Sequence, residues 1–152
     1  MNDQEIKELF EKFGGKNGSI NEEQFVQGMI NYFDVQEGYE NDFKTMFNLL
    51  DKKNFLKKKN GKVDEKEFHK LGKILPKIEN LEESKQKAIG RIFFRVIDSD
   101  GNGTICEKEM RSFLSESGVT DKKEVKDFME KLDKNDDGVI QINEFLQWYG
   151  CD

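Results

Sequence analysis

Two stretches in the second half of the chain concentrate oxygen-bearing side chains at alternate positions. Asp98 to Glu109 reads DSDGNGTICEKE, and Asp133 to Glu144 reads DKNDDGVIQINE. Both fit D-x-[DN]-x-[DN]-G-x5-E in full, with glycine sixth and glutamate last. Carboxylate and carboxamide oxygens are hard donors, and a turn that gathers several of them suits a hard divalent cation. Covalent or acid–base chemistry has no comparable support. The lone His69 stands on a helix face without a paired nucleophile, and no Ser/His/Asp or Cys/His arrangement is present, so an enzyme is not expected.

These stretches belong to a unit that occurs four times. An apolar residue stands four positions before each loop (Phe10, Phe47, Phe94, Met129) and another one position before it (Phe13, Leu50, Ile97, Leu132). Gly18, Gly61, Gly103 and Gly138 share one place, followed two residues later by Ile20, Val63, Ile105 or Ile140. Gln24, Glu67, Glu109 and Glu144 come next, each with a bulky apolar residue behind it: Phe25, Phe68, Met110, Phe145.

The flanks must position these loops, and they read as amphipathic helices. Ile6, Leu9, Phe10 and Phe13 share one face, as do Ala88, Ile89, Ile92, Phe93 and Val96, and Val125, Phe128, Met129 and Leu132. Asn21 to Gln24 and Asp64 to Glu67 resemble capping boxes that start helices. The β-branched residue of each loop suits a short antiparallel pairing with a neighbouring loop. A helix–loop–helix unit cannot bury its apolar face alone, so the first two should pack together, and likewise the last two. The expected architecture is all-α in two lobes, 1–77 and 78–152, with the break near Leu75-Pro76, where proline removes a backbone donor.

With these motifs the sequence resembles the EF-hand family, the superfamily of calmodulin and troponin C, over nearly its whole length. The resemblance implies calcium, a cation that takes about six to eight oxygens. It assigns Asp98, Asp100, Asn102, the Thr104 carbonyl and Glu109 to one site. To the other it assigns Asp133, Asn135, Asp137, the Val139 carbonyl and Glu144. Two sites are expected, with magnesium as a competitor. Asp136 and Glu107 fall at non-ligating positions. Cys106 stands at position 9, where its soft thiol suits calcium poorly, and it is also a poor helix cap; weaker binding in that loop is expected. Gln141 at the same position of the other loop can orient a water.

The two N-terminal loops depart from the pattern. Gly14 to Gln24, GGKNGSINEEQ, is one residue short and ends in a neutral amide, so it is not expected to bind metal. Asp51 to Glu67 is five residues longer than a standard loop and contains Lys52, Lys53, Lys57, Lys58 and Lys59. Counting back from Gly61 puts Leu56 first and Lys58 third, neither a ligand, and the insertion separates Asp51 from the rest. Scaffold without metal is the expectation. With Lys62, these lysines form a basic patch, and peripheral membrane contact is expected, if anywhere, through Lys52 to Lys62.

The bulk numbers agree with a folded, acidic, helical protein. Proline occurs once, phenylalanine 13 times, and the net charge is −6. Residues 1–80 hold 14 lysines against 15 acids, so most of the excess acid lies in the second half, and nucleic acid is disfavoured as a partner. Two cysteines, Cys106 and Cys151, are too few for a disulfide scaffold. The N-terminus MNDQEIKELF has no secretory apolar core, and the cytosol, with the nucleus open, is the expected location. The resemblance implies a monomeric sensor or adaptor that docks an amphipathic helix of a target protein. Its groove would draw on Ile89, Ile92, Phe93, Met110, Phe113, Leu114, Phe128, Met129, Phe145 and Trp148. Phe25, Met29, Phe33, Phe43, Met46, Phe47, Phe68 and Leu71 would form the core of the first lobe and any groove there. The alternatives are a constitutive light-chain-like subunit, a cytosolic calcium buffer, and a calcium-gated nucleic-acid or lipid binder.

Overall fold

The computed structural model describes residues 1–36, 38–51, 61–77 and 81–150. They fold into two compact units, Met1–Lys85 and Gln86–Asp152.

The first unit runs α1 (Asp3–Lys12), a single 3-10 turn (Gly15–Asn17), β1 (Ser19–Asn21), α2 (Glu22–Phe33), α3 (Glu40–Leu50), β2 (Lys62–Asp64) and α4 (Glu65–Ile74). Local chemistry sets several of these boundaries. Asn2, Asn21 and Asp64 each accept the amide of the residue three further on, and Glu5, Gln24 and Glu67 accept the cap's own amide in return. Two orphan donors are thus satisfied at each helix start. α4 stops at Ile74, because Leu75 turns extended (φ −69, ψ 132) ahead of Pro76.

α1 packs on α4 and α2 on α3, and the loops are joined by antiparallel β1–β2 with Ile20 opposite Val63. Between them lies a phenylalanine core. Phe68 meets Phe10 at 5.2 Å and Phe13 at 5.1 Å, and Phe25 meets Phe47 at 5.7 Å. Each ring taken out of water contributes about 1.5–3 kcal/mol. Phe25, Met29, Phe33, Phe43, Met46, Phe47, Phe68 and Leu71 are all at most 1 % exposed, so in this structure they are core and none lines an open groove.

The second unit holds α5 (Lys85–Ile97, whose first residue closes the first unit), β3 (Thr104–Ile105), α6 (Glu107–Ser115), α7 (Lys122–Leu132), β4 (Ile140–Gln141) and α8 (Ile142–Trp148). β3 and β4 pair antiparallel with Ile105 opposite Ile140, both fully buried. Phe93 meets Phe113 at 5.3 Å and Phe94 meets Phe145 at 5.7 Å. Phe128 is half-buried. Of the residues expected to line a groove, only Trp148 is exposed, and it is the one exposed large hydrophobic among the described residues. Among those residues, no helix is long and apolar enough to cross a membrane.

Candidate metal centre

Each loop of the second unit begins on the end of a helix. The amides of Asp98 and Asp133 still bond back to Phe94 and Met129, both at 2.8 Å, which fixes the first aspartate of each turn. Its carboxylate then reaches across the loop. Asp98 Oδ2 accepts the Gly103 amide and Asp133 Oδ2 accepts the Gly138 amide, each at 2.8 Å. Those glycines have φ of 89° and 84°, a left-handed conformation that disfavours any side chain with a Cβ.

The outgoing helices close the turns from the other side. Glu109 Oε1 accepts the Cys106 amide at 3.0 Å, while its Oε2 accepts the Asp100 amide at 3.2 Å and the Ser99 hydroxyl at 3.3 Å. Glu144 repeats the arrangement, with Oε1 on the Gln141 amide at 2.9 Å and Oε2 on the amides of Lys134 and Asn135 at 2.6 and 3.3 Å. Asp98, Asp100 and Glu109 therefore offer carboxylate oxygens within 4.8 Å of one another, and so do Asp133, Asp137 and Glu144. Both glutamates are buried.

Asn102, Thr104, Asn135 and Val139 are held in the same turns. Asn102 Oδ1 accepts the Thr104 amide at 3.0 Å and its hydroxyl at 3.1 Å, and the Val139 amide donates to Asp137 Oδ1 at 3.2 Å. Sequence reasoning missed one residue that positions the others, Ser99, and gave another, Gln141, a different role. Ser99 steadies Glu109. Gln141 donates from Nε2 to Asp137 and accepts from Asn135 Nδ2 at 3.4 Å, so it ties two ring residues together. Its place at position 9 was a signal, though for a water-orienting role.

The electrostatics fit a dication. Asp98 Oδ1 is buried with no hydrogen-bond partner, in a residue grouped with the Asp100 and Glu109 carboxylates. Burial pushes the Asp98 carboxyl above the usual range, and the neighbouring Asp100 and Glu109 carboxylates add to this against the Gly103 amide. In the other loop, the Gln141 amide holds Asp137 below its ordinary value. A bound cation would relieve the first situation and use the second. Cys106 caps α6 with a half-buried free thiol.

The first unit holds no such ring among its described residues. Gln24 is engaged with the Asn21 amide at 2.9 Å and brings no charge. The longer loop differs from the sequence count in one respect. Asp51 is 1 % exposed, and its Oδ2 accepts the Gly61 amide at 2.9 Å, the bond Asp98 makes to Gly103. Asp51 thus makes to Gly61 the bond that the first residue of each turn makes in the second unit, although nine residues separate the two. Glu67 Oε1 accepts the Asp64 amide at 3.0 Å, as Glu109 does that of Cys106. Lys52, Lys53, Leu56, Lys57, Lys58 and Lys59 lie outside the described residues, as does Cys151. His69 is half-buried, with Nε2 3.0 Å from Asp3 Oδ1, and joins α4 to the start of α1.

Residues 86–150 match the family model of an EF-hand domain pair. A 16 kDa calcium-binding protein of Schistosoma mansoni is 35% identical over 89 residues, 58% of this chain and 59% of its own. Calmodulin-like protein 2 of Arabidopsis thaliana is 33% identical over 72 residues, 45% of this chain and 47% of its own. Calcium-dependent protein kinase 22 of the same plant is 29% identical over 141 residues, which is 92% of this chain but 26% of the kinase. The chain thus spans 26% to 59% of the length of these relatives. The paired loops, the two carboxylate rings and these likenesses agree on the second unit: residues 86–150 are similar to an EF-hand domain pair and to calcium-binding and calmodulin-like proteins.

Proposed function

We propose that the second unit is a two-site calcium sensor and adaptor. Asp98, Asp100, Asn102, the Thr104 carbonyl and Glu109 hold one ion, and Asp133, Asn135, Asp137, the Val139 carbonyl and Glu144 hold the other. Bound calcium supplies the positive charge that offsets the carboxylates of each ring. The observation that carries the reading is the link from ring to surface within α8. Glu144 joins the carboxylate ring of Asp133 and Asp137, and one turn later the same short helix ends in Trp148, 39 % exposed and 5.4 Å from the Phe128 ring. A shift of Glu144 therefore moves an aromatic surface to which an amphipathic partner helix can bind.

The test is a calorimetric calcium titration of the metal-stripped protein in ~1 mM magnesium, with Trp148 fluorescence read alongside. Two sites near ~10⁻⁷–10⁻⁵ M with a fluorescence change support the sensor. A buffer is the second reading, favoured by the burial of Ile89, Ile92, Phe93 and Met110, each at most 2 % exposed. Two sites at ~10⁻⁸ M or tighter, competing with magnesium and silent in fluorescence, would select it.

A further inference from the structure

Charge is divided unevenly within the first unit. Residues 1–51 hold four lysines against eleven acids, whereas residues 52–77 hold ten lysines against three. Half of those ten, Lys62, Lys66, Lys70, Lys73 and Lys77, lie on α4 or within three residues of its ends. Helical spacing sorts α4 into two faces. Phe68 and Leu71 are fully buried in the core. Lys66, Lys70 and Lys73 recur at four and three positions and are all exposed, so they form one outward stripe about two turns long.

The acids near this stripe are mostly engaged elsewhere. Asp64 and Glu67 are half-buried, and each accepts the other's amide in the cap of α4, which leaves Glu65 exposed. At the far end Lys73 meets Asp3 at 3.3 Å and Lys77 meets Glu5 at 3.7 Å, both from the first turn of α1. Those lysine side chains are about half exposed, and ion pairs of that kind are weak enough to exchange for another anion. The Lys66 and Lys70 side chains make no ion pair or hydrogen bond among the described residues.

We propose that this stripe of α4 is a docking surface for a bilayer rich in anionic lipid, with Lys66 and Lys70 at its centre. The argument is charge complementarity, and the type of cation selects the partner. Residues 1–85 contain no arginine. A lysine ammonium is a compact point charge, suited to a diffuse field of headgroups, whereas nucleic-acid recognition favours the planar arginine fork. Bases also stack on exposed aromatic rings, and the exposed large hydrophobic among the described residues is Trp148, in the other unit. The net charge of −6 does not prevent the contact. At physiological salt a charge acts over about 8 Å, so the membrane senses the face nearest to it. The surface is independent of the calcium loops, and it places membrane contact on α4, beyond the stretch that the sequence singles out.

The experiment is co-sedimentation of the full-length protein with vesicles, in a chelator so that calcium cannot bridge protein and lipid. Wild type should sediment with phosphatidylcholine vesicles that contain phosphatidylserine, stay in solution with phosphatidylcholine alone, and be released by high salt. Each lysine near the surface contributes roughly 5-fold, so Lys66→Gln combined with Lys70→Gln should lower the partition coefficient about 30-fold. Lys66→Arg combined with Lys70→Arg keeps the charge and should bind like wild type. Lys131→Gln, at an exposed position of α7, should also bind like wild type. Circular dichroism verifies that each variant is folded. Failure of wild type to bind the anionic vesicles would overturn the proposal, as would equal binding by the double glutamine variant. Tighter binding to a DNA oligonucleotide than to vesicles at matched phosphate concentration would assign the stripe to nucleic acid instead.

Discussion

The Asp51 carboxylate accepts a hydrogen bond from the Gly61 amide at 2.9 Å, across nine intervening residues that no standard turn of this kind contains. Asp98 and Asp133 make the same bond to glycines five positions on, at 2.8 Å. The degenerate loop has therefore kept the contact that closes its turn, with Gly61 at φ 73° and Val63 paired to Ile20 just beyond it.

Asp51→Ala should destabilise the first unit, because it leaves the Gly61 amide without its acceptor. The cost of such a loss is about 1–3 kcal/mol. Asp51→Asn keeps an acceptor oxygen and should cost less. Urea unfolding of both variants measures the difference. Calcium stoichiometry at the second unit should stay unchanged, and a lost site would contradict a purely structural role.

Glu109→Gln and Glu144→Gln should each remove one calcium site and leave the other. The substitution keeps size and one acceptor oxygen but deletes the charge that faces the ring. A loss of at least ~10-fold in affinity, or about 1.4 kcal/mol, is expected at the altered loop. Calorimetry resolves which site has gone. Two full-strength sites in either variant would show that these glutamates are not the clamps.

Asp136 has φ 55°, a left-handed conformation at the position where the other loop has Gly101 at φ 70°. Asp136→Gly should relieve this strain and stabilise the metal-free second unit by up to ~1 kcal/mol, with the unfolded chain's greater freedom working against it. Thermal melts in a chelator test this. A lower midpoint would mean that the aspartate is content where it is.

Acid should loosen the first unit at one defined contact. The His69 side chain, with Lys73 beside it, holds the Asp3 carboxyl below its usual range. A depressed folded value contributes stability above the unfolded value, near pH 4, and loses it as pH falls through the folded one. The stability difference between wild type and Asp3→Asn should therefore be present at neutral pH and vanish in strong acid. A difference that persists unchanged at pH 2 would show that the contact is not ionic. Because the contact is exposed, the effect should also shrink in high salt.

Features that depend on near neighbours along the chain are legible from residue order alone. The period of Ile6, Leu9, Phe10 and Phe13 marks a helix, the boxes at Asn21 and Asp64 mark where others start, and Pro76 marks a stop. The two rings were legible for the same reason: their carboxylates lie within twelve positions, and glycine at the sixth dictates how the chain turns. Tertiary structure decided what depends on distant parts of the chain meeting. Asp51 reaches Gly61, Tyr149 reaches Phe93 and Gly90, and the apolar residues of both units become core. Periodicity gives the face on which a phenylalanine stands but not what covers that face. The cover is set by how closely helices approach, which turns here on the missing Cβ of Gly90 and the packing of rings from four helices.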